Sequence, residues 1–133
     1  MRILGIGVDI ILNNRIKRLI KNKDFIKRTF GKKEIETSRK IYNRVNFFAK
    51  RFAAKEATWK ALNPLRGDGL FFKEIEVLND LNGKPFLLFT GKTKIYIQKK
   101  EKTLNSKLKF DISISDEPPF IIAFVVISLA PNA

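Results

Sequence analysis

The sequence predicts an α+β domain in which a mostly antiparallel sheet packs against one long helix, with shorter helices alongside. Three observations point there. An alternating strand opens the chain at 2–10, "RILGIGVDI". One long amphipathic helix fills 45–62. Beyond residue 71 the pattern is mainly strands separated by turn signals. At 133 residues, the chain is expected to form one domain spanning 1–133.

In the first strand Leu4, Ile6, Val8 and Ile10 point one way, and Ile3, Gly5, Gly7 and Asp9 the other. Two missing side chains beside Asp9 leave room for a close backbone approach. Residues 13–22, "NNRIKRLIKN", read as a helix capped by Asn13 or Asn14. Its stripe is Ile16, Leu19 and Ile20, and Arg15, Lys17, Arg18 and Lys21 form a basic outer surface. A second short helix covers 23–30 and stops near Gly31, and a third, polar one covers 32–43. In the long helix Phe48, Phe52 and Trp59 share a face, while Ala49, Ala53 and Ala57 mark a narrow side suited to close packing. Asn63-Pro64 ends it, because the residue before proline avoids helical geometry. Strands 71–78 and 85–90 are joined by the hairpin signal "NDLNGK". A basic helix is expected from Gly91 to about Lys102. Residues 109–115 alternate, with Asp111, Ser113 and Ser115 as a polar stripe. The run "FIIAFVVIS" is apolar on both faces and therefore central.

The composition excludes several chemistries. There is no cysteine and no histidine, so disulfides, thiolate or imidazole metal sites and His-based triads are absent. Catalysis must use carboxylates, lysine, hydroxyls, backbone dipoles or a hard metal ion. Twenty-seven Lys and Arg against 13 Asp and Glu give a net charge of +14, which attracts polyanions. A lysine-rich, cysteine-free composition is also what an A+T-rich genome produces. No apolar run is long enough to span a bilayer, and Met1-Arg2 leads straight into the first strand without a signal-peptide pattern. A cytoplasmic protein without membrane insertion is expected.

Two carboxylates stand out. Glu56 lies at the edge of the long helix's buried face, where an unpaired charge is costly. Read alone, it forms a surface ion pair with Lys60, four residues on. Asp9, read alone, caps the helix that follows. Read together, they form a two-carboxylate Mg²⁺ site completed by waters and substrate phosphates, with nearby cations holding the remaining phosphate charge. Spacing alone does not decide between these readings. "GIG" lacks the third glycine of a dinucleotide fingerprint, and "RGD" at 66–68 reads as a turn. The 111/113/115 stripe reads either as a solvated face or as a groove lining.

The ordered blocks "GIGVDI", "FAKRFAAKEATWKAL", "NGKP" and "FDISISDE…AFVVI" resemble the holo-acyl-carrier-protein synthases, the small bacterial 4′-phosphopantetheinyl transferases. The resemblance covers nearly the whole chain. It implies transfer of the phosphopantetheine arm of coenzyme A to a serine of an acidic apo acyl carrier protein, releasing adenosine 3′,5′-bisphosphate, in fatty acid biosynthesis. It implies Mg²⁺ on Asp9 and Glu56, with Lys60 in catalysis and phosphate binding. Arg51, Gly83, Lys84 and Pro85 would line the coenzyme site, and Asp111 would touch the coenzyme through its backbone. Arg15, with Lys17, Arg18 and Lys21 on the same helix, would dock the carrier protein. A homotrimer with sites between subunits is implied.

The chain departs from the family pattern at several positions. Leu12 stands where glutamate is usual, Asn46 where arginine is usual, and "NPLRGDG" where a Gly-Thr-Gly turn is usual. Asp111 and Asp116 replace histidines. The general base is open between a metal-bound water and a carboxylate such as Glu34. Two rival readings remain: a basic nucleic-acid-binding module, disfavoured by the lack of aromatic interleaving, and a non-catalytic carrier-binding scaffold.

Overall fold

The computed structural model describes residues 2–131. The chain runs β1 (Arg2–Leu12), α1 (Asn13–Leu19), α2 (Lys23–Thr29), α3 (Lys32–Ser38) and α4 (Arg44–Leu62). A 3₁₀ turn (Phe72–Glu74), β2 (Ile75–Asn79), β3 (Pro85–Phe89), α5 (Gly91–Leu104), β4 (Ser106–Glu117) and β5 (Phe120–Pro131) follow. Every strand pair is antiparallel, as expected, but the strands divide into two sheets. One has the order β1-β5-β4; the other is the β2-β3 hairpin. The doubly apolar β5 is central, flanked by β1 and β4.

The long helix lies across the three-stranded sheet. Its small residues Ala53, Ala57 and Ala61 are buried, as are Ile121, Ala123, Val125 and Ile127 of β5. The contact is closest at the two glycines of β1. A Cβ on Gly7 would stand 1.8 Å from the Ala57 carbonyl oxygen, and one on Gly5 would stand 1.9 Å from that of Ala61. These glycines are therefore required by backbone approach. On its other side α4 meets an aromatic cluster: Phe48 packs on Phe30 at 4.6 Å between ring centroids, and Phe52 and Trp59 both meet Phe72 edge-on at 6.0 and 5.7 Å.

Several expectations change in detail. A register shift between Ile3 and Gly5 turns Leu4 toward the core and leaves Ile3 exposed, because a bulge reverses the alternation for one step. The cap of α1 is Leu12, which provides no side-chain cap bond, so neither asparagine nor Asp9 caps that helix. α3 ends at Ser38, where the Ser38 hydroxyl bonds back to the Ile35 carbonyl. The strand expected at 71–78 begins as a 3₁₀ turn. α4 ends as expected, at Asn63 in the left-handed conformation (φ 47°).

The outer face of the β1-β5-β4 sheet is apolar over two strands. Ile6, Val8, Ile10 and Leu12 of β1, each about half exposed, pair with Val126, Phe124, Ile122 and Phe120 of β5. The third strand presents Asp111, Ser113, Ser115 and Glu117 on that face.

Replacing Gly7 by alanine forces two backbones apart. Gly7→Ala is expected to lower unfolding free energy by about 2–3 kcal/mol. Gly67→Ala meets nothing within 4 Å at φ +87° and carries only conformational strain, about 1–2 kcal/mol. Urea denaturation of both variants checks the order; equal losses would mean that the β1–α4 contact is not tight.

Candidate active site

The close β1–α4 contact brings Asp9 and the Glu56–Lys60 segment together across a long sequence separation. Lys60 does not pair with Glu56. Its ammonium donates to the Val8 carbonyl at 3.0 Å and to Asp9 Oδ1 at 3.3 Å. The surface ion pair expected from helix spacing is thus replaced by a bond across to the strand. Asp9 is largely shielded and Lys60 half exposed, so the cation sits at the mouth of the site.

Glu56 is half-buried, and among the described residues no hydrogen bond or ion pair reaches its carboxylate. Partial burial first, then the negative charge of Asp9, hold its carboxyl above the usual range. Lys60 and Arg15 pull it the other way. Arg15 projects from α1 over the Phe52 ring at 5.6 Å, which puts a second cation beside the carboxylates. Lys17, Arg18 and Lys21 are exposed, the first two in the last turn of α1.

Asp9 and Glu56 offer only hard oxygen donors, which fits a divalent cation such as Mg²⁺. Among the described residues no group of three or more acidic side chains could hold a metal. The remaining ligands would therefore be water and substrate oxygens, which suits an ion that retains much of its hydration.

The other predicted residues sit apart from this pair. Arg51, Gly83 and Pro85 line a groove of about 540 Å³ between α4, the β2–β3 hairpin and β4, together with Asn46, Lys50, Asn79 and Asp116. Arg51 is 8% exposed. It stacks on the Phe47 ring at 3.6 Å and donates to the Phe47 carbonyl and to Asn79 Oδ1 at 2.6 Å. Burial lowers its guanidinium to about 10, opposed by Glu34, and its buried Nε has no acceptor. Lys84 and Asp111 line a second hollow of about 420 Å³, which shares Pro85 with the first. Asp9, Glu56 and Lys60 line neither. Sequence reasoning missed Lys50; its i, i+4 relation to Asn46 on α4 was the available signal.

Glu34 is placed away from solvent and its carboxylate is fully engaged. It is fully buried and bonded to Lys55 Nζ at 2.6 Å, to the Gly31 amide at 2.9 Å and to the Val77 amide at 3.1 Å. Lys55, also fully buried, donates as well to the Phe72 and Ile75 carbonyls. Burial pushes Glu34 up and Lys55 down, and their mutual attraction opposes both shifts. The pair ties α3, α4 and β2 together one residue before Glu56.

Removing one partner strands a buried charge. Glu34→Leu is expected to destabilise by about 3–5 kcal/mol, and adding Lys55→Met should recover much of that loss. Chemical denaturation of the single and double variants checks this; additive losses would contradict the clamp.

Comparison with known proteins gives a consistent result. Residues 5–116 match the family model described as the 4′-phosphopantetheinyl transferase superfamily. The chain is 46% identical over 127 residues to the holo-[acyl-carrier-protein] synthase of Pelagibacter ubique, covering 96% of this chain and 98% of that one. The crystal structure of holo-[acyl-carrier-protein] synthase from Neisseria meningitidis superposes with a TM-score of 0.80 at 34% identity, covering 95% and 98% of the two chains. A holo-(acyl-carrier-protein) synthase from Bacillus anthracis, solved in complex with CoA (3′,5′-ADP), gives 0.76 at 32% identity, covering 98% and 99%.

Proposed function

We infer that this chain, which belongs to the 4′-phosphopantetheinyl transferase superfamily, transfers the 4′-phosphopantetheine arm of coenzyme A to a serine of apo acyl carrier protein. The observation that carries the reading is Glu56: a half-buried carboxylate with no bonded partner among the described residues, under the charge of Asp9 and beside Lys60 and Arg15. A partly desolvated carboxylate set beside a second negative charge is a favourable place for a cation to arrive.

The carrier serine oxygen attacks the phosphorus that bears the pantetheine arm, and the bond to the adenosine-side phosphate breaks, releasing adenosine 3′,5′-bisphosphate. Asp9 and Glu56 would hold Mg²⁺, which when bound supplies charge neutralisation on the diphosphate. Lys60 is tethered to β1 by its bonds to the Val8 carbonyl and Asp9, so its ammonium is fixed where a phosphate oxygen arrives. Arg15 adds a second cation on the α1 side. With Glu34 sealed in its buried pair, the serine proton must leave by another route. Fatty acid biosynthesis in the cytoplasm suits this reaction, and no helix among the described residues is long and apolar enough to cross a membrane.

The coenzyme groove and the carboxylate pair are separate on one chain, which supports assembly of the complete site between copies. The apolar outer face of β1 and β5 supplies a surface for that contact: Ile6, Val8, Ile10, Leu12, Phe120 and Phe124 remain exposed in the single chain. A homotrimer is the reading that joins these two observations.

Carrier proteins are acidic, and α1 carries Arg15 beside the carboxylates and exposes Lys17 and Arg18, with Lys21 just beyond it. Arg15, Lys17, Arg18 and Lys21 form the docking surface in this reading, and their attraction speeds encounter.

The deciding experiment is mass spectrometry of apo carrier protein incubated with coenzyme A, Mg²⁺ and this protein. A mass gain of one phosphopantetheine arm is expected. Carrier binding without that gain would leave only a scaffold. Asp9→Ala and Glu56→Ala should each lower kcat/KM by about 10²–10³-fold with the fold intact by circular dichroism; wild-type rates in both would overturn the metal assignment. Arg15→Glu should raise the KM for carrier protein well above any change for coenzyme A, with the difference shrinking at high salt. Equal changes for both substrates would reject the docking surface.

A further inference from the structure

We propose that Asp116 limits the affinity of the Arg51 groove by occupying Lys50, the cation that a phosphate of the bound coenzyme would otherwise meet. The inference rests on the coenzyme reading above.

Asn46 and Lys50 lie one turn apart on α4 and share a face with the end of β4. Asp116 Oδ2 accepts from the Asn46 amide nitrogen at 2.6 Å and lies 3.7 Å from Lys50 Nζ. All three side chains line the same groove as Arg51. The Asn46 bond fixes the carboxylate in place, so the negative charge does not simply swing away when a ligand arrives. Arg51 is committed elsewhere, to Asn79 and to the Phe47 carbonyl and ring. That leaves Lys50 as the groove's accessible cation, with 36% of its side chain exposed.

The groove therefore presents one accessible cation, Lys50, beside one internal carboxylate, Asp116. An incoming phosphate must compete with Asp116 for Lys50, and it is repelled by Asp116 after displacing it. Both effects have the same sign. The Lys50–Asp116 pair is partly solvated, so it is weak enough to be displaced. Coenzyme A carries two sources of this chemistry, its diphosphate and its 3′-phosphate.

The test uses Asp116→Asn, which keeps an acceptor for Asn46 and removes the charge, with Asp116→Ser as a second neutral variant. Dissociation constants for coenzyme A and for 3′-dephospho-coenzyme A are measured at low and high salt by calorimetry, with thermal midpoints as a check on folding. Both variants should bind coenzyme A about fivefold more tightly at low salt, and the gain should shrink as salt rises. Lys50→Gln should cost more affinity in the Asp116→Asn background than in the wild type. A gain confined to coenzyme A identifies the 3′-phosphate as the group Lys50 meets; a gain with both ligands identifies the diphosphate. Unchanged or weaker binding in folded Asp116 variants, or additive effects of the two substitutions, would overturn the proposal while wild-type transfer continues. A wild-type protein that neither binds coenzyme A nor makes holo product would instead remove the transferase reading, and this inference with it.

Discussion

The backbone contact between β1 and α4 is the constraint on which the site depends. Gly7 lies against the Ala57 carbonyl and Gly5 against that of Ala61, so strand and helix run past each other in matched steps. Two strand residues advance about 6.8 Å and four helix residues about 6 Å. One more step along the same line sets Asp9 level with Ala53, another buried alanine. Glu56 lies three residues further along the helix and Lys60 reaches back to Val8 and Asp9. The Glu56–Lys60 turn comes to Asp9 because small residues occur at the same spacing on both partners. Any larger side chain at 5, 7 or 57 would move Asp9 relative to Glu56.

A strand contact alone would leave the helix free to roll. The opposite side of α4 prevents this. Lys55 is about 200° around the helix from Ala57 and is held by Glu34 and two backbone carbonyls. The aromatic cluster adds Phe30 on Phe48 and Phe72 on Phe52 and Trp59. The helix is thus gripped from two sides, and Glu56 projects between them. A buried ion pair of this kind adds little net stability over an apolar pair of similar volume, but its directional bonds fix rotational phase, which methyl packing does not.

Much of this was legible in the sequence, and the parts that were not share a cause. The glycines beside Asp9 and the alanine side of the long helix each announced a close approach, and the two turned out to face each other. The doubly apolar run at 120–128 gave the central strand. Asp9 and Glu56 stood out as candidates from position and type, and Lys60 as a neighbour, but their bonding pattern was not legible: helix spacing favoured Glu56 with Lys60, whereas the strand carbonyl of Val8 and the carboxylate of Asp9 won that lysine. Glu34 gave no sign of burial, since "KKEIETS" looks like a polar helix and its partner Lys55 is 21 residues away. Lys50 and Asp116 are joined only through the packing of β4 beside α4. Local pattern reports which face a residue is on; it does not report which of several distant partners reaches it first.

The distribution of acidic residues sharpens the functional argument. With 13 carboxylates among 27 cationic side chains, acids are scarce in this chain, and many have a visible structural task. Glu76 accepts amides at the start of α3 and Glu74 those at the start of α5, both favourable positions for negative charge. Asp80 holds the β2–β3 turn through the Asn82 and Lys84 amides, Asp68 accepts from Leu65, and Glu101 accepts from Leu108 at the start of β4. Asp9 and Glu56 accept from no backbone amide among the described residues, and partial burial first, then the charge of Asp9, raise the carboxyl of Glu56. Asp9 has its bond to Lys60, whereas Glu56 stands beside that charge with no bond of its own among the described residues. In the proposed reaction a cation held by Asp9 and Glu56 would supply positive charge at this point, and Lys60 and Arg15 would extend it toward an anionic substrate. On that reading, the basic surface that would draw in an acidic partner would also border the point where the phosphate bond is broken.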